Sequence, residues 1–285
     1  MSQAVTRRAD QPQPVTVEAI CGWLGLSRQA WYQQQRRQQR KVECTAAILT
    51  RIRRIRQRHP RLGGRKLLHK LQPWLRQQSL RMGRDRLFGL LRQHDLLIQP
   101  RRRRCRTTWA GHWRCDNRLA EADLTGPHQA YVSDITYLET DQGFVYLTLI
   151  TDAWSRYVVG HHVSSRLTTD GSLVALNQAL ARRPVTAGAF IHHSDRGVQF
   201  TDKRYRTRVR RAGGCSSMGA KGDCYDNALA ERMNGILKLE YGLDSRFRDL
   251  AQARRAVRES IWLYNHERPH LALAYRTPAQ VHASG

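Results

Sequence analysis

The chain has 285 residues, 40% of them hydrophobic, with seven Trp, so it can build a sizeable core and is not wholly disordered. Its 49 Lys and Arg against 23 Asp and Glu give a net charge of +26, which points to a polyanion such as nucleic acid as partner. No run of 18 apolar residues is present and the first residues carry no apolar signal core, which exclude a membrane span and a secretory leader as expectations. The six Cys form no C-x-x-C pair, so free thiols in a reducing, cytosolic setting are expected; Cys105, His112 and Cys115 have poor spacing for zinc.

The charge is uneven. Residues 1–125 hold 28 Lys/Arg and 8 Asp/Glu, a net of +20, and residues 126–285 hold 21 and 15, a net of +6. The pattern suggests a DNA-gripping front and a catalytic rear. The front half reads as helical. Val17, Ile20 and Leu24 stand at helical spacing, Gly25 breaks the run, and Ser27 can cap a second helix with Ala30, Trp31 and Tyr32. That is either a helix-turn-helix or a plain αα-hairpin. A further helix is expected over about 45–59, with Ile48, Ile52 and Ile55 on one face. Gly turns then lead into two amphipathic helices, RKLLHKLQPWL and RDRLFGLLRQ, whose Leu stripes are core. The run Arg101, Arg102, Arg103 and Arg104 cannot pack together and reads as an exposed arm on phosphates.

The rear half changes period. AYVSDITYL, FVYLTLITDAW and YVVGHHVS are β-branched and aromatic runs with short connections, hence an antiparallel meander. A helix (LTTDGSLVALNQALARR), a strand (AFIHHSD), a basic helix (TDKRYRTRVRRAG), a short strand (CSSM) and two long helices follow. The order β-β-β-α-β-α-β-α-α is an α/β fold with a mixed sheet.

Three acids stand where packing alone would not put them. Asp134 lies mid-strand, where Asp is depleted. Asp195 ends a strand, where α/β folds place functional groups. Glu231 shares a helical stripe with Asn227, Asn234 and Lys238, while Leu229, Met233, Ile236, Leu237 and Tyr241 form the apolar stripe. Sixty residues separate the first two acids and thirty-five the last two. Glu240, beyond the polar stripe, is expected to be dispensable. Of His192 and His193, one should face the site and one the core.

The strings SDITY, IHHSDRGVQF, DNALAERMNGILKLE and YNHERPHLALAYRTPAQV, with GGRKL, GRDRLFGLLR and HDLL in the front half, resemble the DDE transposases of the insertion sequence three family (second-frame product), within the retroviral integrase superfamily. LGGR stands where that family usually has an aromatic-Gly-aromatic-Arg turn, and Met233-Asn234 where aromatics are more common.

The resemblance, over about residues 45–283, implies an RNase H-like integrase catalytic core, a mixed five-stranded sheet with flanking helices, preceded by an all-helical DNA-binding region. The expected organisation is a helical arm (1–43), helix-turn-helix-like DNA-binding helices (44–100), a basic linker (101–125), and the catalytic core with a helical tail (126–285). It implies a catalytic and metal-binding triad of Asp134, Asp195 and Glu231, with Asp134 bridging two Mg²⁺, Asp195 on one and Glu231 on the other, and Mn²⁺ as substitute. Lys238, Asn227, Arg101 to Arg104, Arg65 and Lys66 are expected on DNA. The activity implied is strand cleavage and 3′-hydroxyl strand transfer at element ends. The implied partners are double-stranded DNA, element ends and target, further copies of the chain on that DNA and the element's first-frame protein, with no membrane, in the bacterial cytoplasm at the nucleoid. A DNA-binding regulator or inactive remnant, or an RNase H-type nuclease, are the alternatives.

Overall fold

A computed structural model describes residues 16–99, 113, 115–219 and 228–285. The chain divides into two compact units, Met1–Arg53 and Arg54–Gly285, and the division falls within a helix. In the first unit, α1 (Val17–Leu24) starts at Thr16, whose hydroxyl accepts from the Ala19 N–H at 3.3 Å, and stops at Gly25. Gly25 has φ of +65°, the left-handed geometry that a glycine adopts without Cβ strain. The Ser27 hydroxyl accepts from the Ala30 N–H at 3.1 Å and opens α2 (Arg28–Arg58). The sequence pattern predicts two helices over this stretch, but α2 is continuous. The segment QQQRRQQRK loses the apolar stripe but contains no Gly or Pro, and Gln, Arg and Lys are good helix formers, so nothing stops the helix before Pro60. The boundary expected between residues 43 and 44 therefore lies inside α2.

In the second unit the end of α2 is followed by α3 (Gly64–Gln77) and α4 (Arg84–Gln93). Leu67, Leu71 and Leu75 of α3 and Leu87 of α4 are fully buried, each adding about 1.5–3 kcal/mol of apolar transfer. The sheet follows: β1 (Ala130–Thr140), β2 (Gly143–Asp152), β3 (Val158–Ser164), β4 (Phe190–Ser194) and β5 (Gly214–Met218). Its order is β3-β2-β1-β4-β5. The first three strands are antiparallel neighbours, and β4 and β5 add in parallel on the β1 side. Side chains alternate across β1. Tyr131 faces α5 (Thr169–Ala181), the short α6 (Val198–Thr201) and α7 (Lys203–Arg211), with Leu176, Phe200 and Tyr205 in one core. Ala130 and Val132 point the other way and pack with Ala230 of α8 (Ala228–Tyr241). Beside them Leu138, Leu147 and Leu149 meet Met233, Ile236 and Leu237 of α8 and Val257, Ile261 and Tyr264 of α9 (Leu250–Glu267). A last short helix, α10 (Pro278–His282), starts in a capping box at Thr277 and Gln280. The strand and helix order matches the sequence expectation, and a five-stranded mixed sheet with helices on both faces is the RNase H-like integrase core.

The packing of α5 on β3 depends on Gly160. A Cβ there would clash with the Ala175 carbonyl oxygen and lie 3.1 Å from the Ala179 Cβ. Because the obstacle is backbone, the helix must move. Gly160→Ala should cost at least about 1–3 kcal/mol, seen as a lower midpoint in urea unfolding; an unchanged midpoint would show that α5 shifts freely.

Candidate active site

Parallel pairing of β1 with β4 joins Val132 to His193 and Ser133 to Ser194, so one step further along the two strands stand Asp134 and Asp195. The sheet thus closes a sixty-residue gap. Asp134 shares a β1 face with Ala130 and Val132, the face covered by α8. Its Oδ2 accepts from the Asn234 Nδ2 at 2.7 Å, and its Oδ1 from the Ile135 N–H at 2.8 Å. Asp195 follows β4 and is half-buried; its Oδ1 accepts from the Gly197 N–H at 3.0 Å. A Cβ on Gly197 would stand 2.9 Å from that oxygen, so the turn is shaped around the carboxylate. Glu231 lies in the first turn of α8 and is exposed.

Electrostatics ties the three together. Burial is the largest cause raising the Asp134 pKa, followed by the negative charge of Asp195; Asn234 and the Ile135 N–H oppose them, and Glu231 adds a weaker push. The result is about 7. None of these influences is a cation, so Asp134 sits in a set of hard oxygen donors whose charges repel one another. Such a set fits a divalent cation, which would offset the repulsion that raises the Asp134 pKa. Among the described residues no three His, Cys, Asp or Glu groups are already gathered as a metal cluster.

Burial alone does not make a catalytic acid. Asp152 is fully buried, yet its oxygens accept from the N–H groups of His128, Trp154 and Ser155 and from the Ser155 hydroxyl. It is a turn-holding carboxylate with no local signature in the sequence. Asn234 is the site residue whose role sequence reasoning misses. Its place on the Glu231 stripe is visible, but its bond to Asp134 depends on how α8 lies across β1. The Asn234 Oδ1 is buried with no hydrogen-bond partner among the described residues.

The other expected residues are scattered. Lys238 is half-buried two turns along α8 from Glu231. Arg65 is exposed at the start of α3. Lys66, expected on DNA, is instead buried, and its ammonium donates to the Glu240 Oε1 at 2.6 Å, so it offers no open face to a phosphate. Glu240, expected to be dispensable, also accepts from the Arg268 Nη2 at 2.7 Å and Nε at 2.8 Å. Both His192 and His193 are buried. His192 lies within hydrogen-bond distance of the Ser133 and Tyr205 hydroxyls, and His193 of the Ser217 hydroxyl. Burial, reinforced by His193, depresses the His192 pKa to about 3, so it stays neutral and structural. Asn227 and Arg101 to Arg104 lie outside the described residues.

Integrase core domain profiles match residues 125–224 and 215–278. Transposase InsF for insertion sequence IS3A of Escherichia coli (strain K12) is 33% identical over 237 residues, covering 79% of this chain and 79% of that protein. The chain belongs to the transposase family of insertion sequence IS3. The transposase for insertion sequence element IS629 of Shigella sonnei is 40% identical to this transposase over 155 residues, 54% of this chain and 51% of that one. Among solved structures, the HTLV-2 integrase catalytic core domain in complex with magnesium (trimeric form) is 20% identical with a TM-score of 0.44, over 55% of this transposase and 98% of that chain. Among the described residues no helix is long and apolar enough to cross a membrane.

Proposed function

We propose that this transposase cuts the ends of its insertion element and joins the 3′-hydroxyls to DNA, with Asp134, Asp195 and Glu231 as catalytic and metal-holding acids. The observation that carries the assignment is the Asp134 carboxylate, set beside Asp195 by strand pairing and pushed up by burial first, then by Asp195 and more weakly by Glu231. Two Mg²⁺, when bound, would activate the attacking oxygen and stabilise the leaving one. The chain's own part is to hold the donors. Asn234 and the Ile135 N–H fix both Asp134 oxygens, the Gly197 N–H fixes one oxygen of Asp195, and Glu231 closes on the site from α8. Double-stranded DNA, further copies of the chain and the first-frame protein of the element are the proposed partners, with the helices of 44–100 as one DNA grip.

Labelled end DNA incubated with the protein and Mg²⁺ tests the reading. Strand-joined product is expected; cut product alone would indicate an RNase H-type nuclease, and neither product an inactive, DNA-binding remnant. Joining should need Mg²⁺ or Mn²⁺, and Ca²⁺ should support DNA binding without turnover, since its longer bonds and looser geometry spoil the metal spacing that the displacement needs. Full joining in EDTA would end the metal assignment.

A further inference from the structure

Helix α7 carries six cations in nine residues, and its faces have different uses. Tyr205 and Val209 are buried in the core. Arg204 and Arg208 spend their charge and hydrogen bonds on neighbours: Arg204 pairs with Asp170 at 2.9 Å and Asp202 at 3.4 Å, and the Arg208 Nε donates to the Asn177 Oδ1 at 2.8 Å. Arg211 ends the helix at the surface. The remaining stripe, Lys203, Arg206 and Arg210 at i, i+3 and i+7, lines a cleft of about 470 Å³ between α7 and the edge strand β5, with Trp113, Arg118 and Cys215 on the other walls. Among the described residues no acid lines the cleft and none of its four cations is ion-paired.

One of these cations is already held in place. The Arg206 Nε donates to the Thr201 carbonyl at 3.0 Å, and its guanidinium lies 4.3 Å over the Trp113 ring. An arginine fixed this way loses little side-chain freedom when it meets an anion. We propose that the α7–β5 cleft is a sequence-independent binding site for the sugar-phosphate backbone of duplex DNA, separate from the three acids. Four cations around a concave wall match a row of phosphates, whereas a second copy of a chain with net charge +26 would be repelled. The cleft lies on the far edge of the sheet, two strands and on the order of 10 Å from β1, and on the α7 side instead of the α8 side that holds Asp134. The transposase reading supplies only the identity of the polyanion.

The test compares the parental protein, Asp134→Asn and the triple variant Lys203→Ala, Arg206→Ala, Arg210→Ala, binding a random-sequence duplex across a salt series. The triple variant should bind on the order of 10²-fold more weakly at about 0.1 M salt, and its log–log salt slope should fall by roughly 2–3, or about 0.9 for each phosphate no longer neutralised. Asp134→Asn removes no cation, so it should lose strand joining without the fall in salt slope. A triple variant that melts like the parent and keeps the parental slope overturns the cleft site and leaves the catalytic reading intact. Parental protein that joins no DNA overturns the catalytic reading and leaves the cleft measurable. A second measurement needs no substitution: duplex DNA with a disulfide-linked thiol tether on its backbone should exchange onto Cys215 or Cys115 at the cleft. Adducts found only on other cysteines count against the site.

Discussion

Glu231→Gln should abolish strand joining, by at least roughly 10³-fold or about 4 kcal/mol of transition-state stabilisation, while leaving DNA binding and the fold intact. Gln is nearly the same shape and keeps a carbonyl oxygen, but it lacks the charge that the third acid contributes to a metal site. Glu231 is exposed and raises the Asp134 pKa, so removing its charge relieves repulsion. The variant should therefore melt no lower than the parent. This pairing of a dead reaction with an undisturbed fold separates a catalytic residue from a structural one. Glu259→Gln, at an exposed carboxylate on α9, is the control and should join DNA normally. Joining at the parental rate by the Glu231 variant would falsify the triad, and Asp223 or Asp226 would be the next acids to test.

What is legible in the sequence is what repeats locally. The 2-residue period of SDITYL and the 3.6-residue period of LAERMNGILK place Asp134 on a strand and Glu231 on a helix, and the structure agrees. The order of strands and helices follows for the same reason. Pairings between distant segments leave no such trace. Lys66 looks like one more cation on a basic amphipathic helix, but it is buried against Glu240, 174 residues away. Asp152 sits at the end of a β-branched run, with no local hint that four donors converge on it. The continuity of α2 is hidden because the apolar stripe lapses midway, although a polar helix needs only good helix formers and no breaker.

Glu240→Gln should be far more destabilising than Glu231→Gln or Glu259→Gln, at about 3–5 kcal/mol. Lys66 and Arg268 are both buried, and Glu240 is the anion between them, taking one hydrogen bond from the ammonium and two from the guanidinium. Without its charge, two desolvated cations face each other, and the new amide also points an N–H₂ at one of them. For a unit the size of Arg54–Gly285 this corresponds to a melting temperature lower by on the order of 10 °C. Lys66→Met should cost less, because Arg268 keeps both of its bonds to Glu240. The pH dependence has a definite sign. Burial alone would raise the Glu240 pKa, but Arg268 and Lys66 outweigh it and hold the carboxylate below its ordinary 4.5. The stability from this group is therefore present above that value and lost as pH falls through the lower folded pKa. The gap in melting temperature between parent and Glu240→Gln should be widest near neutral pH and shrink as pH drops below about 4.5. Glu240 also stands nine residues beyond Glu231 on α8, about 14 Å along the helix, so the network anchors the far end of the helix that carries Glu231. Joining by the variant should stay near parental well below its transition and fail at temperatures the parent tolerates. A variant that melts within a degree or two of the parent at neutral pH would mean that water or movement of Arg268 relieves the buried charge.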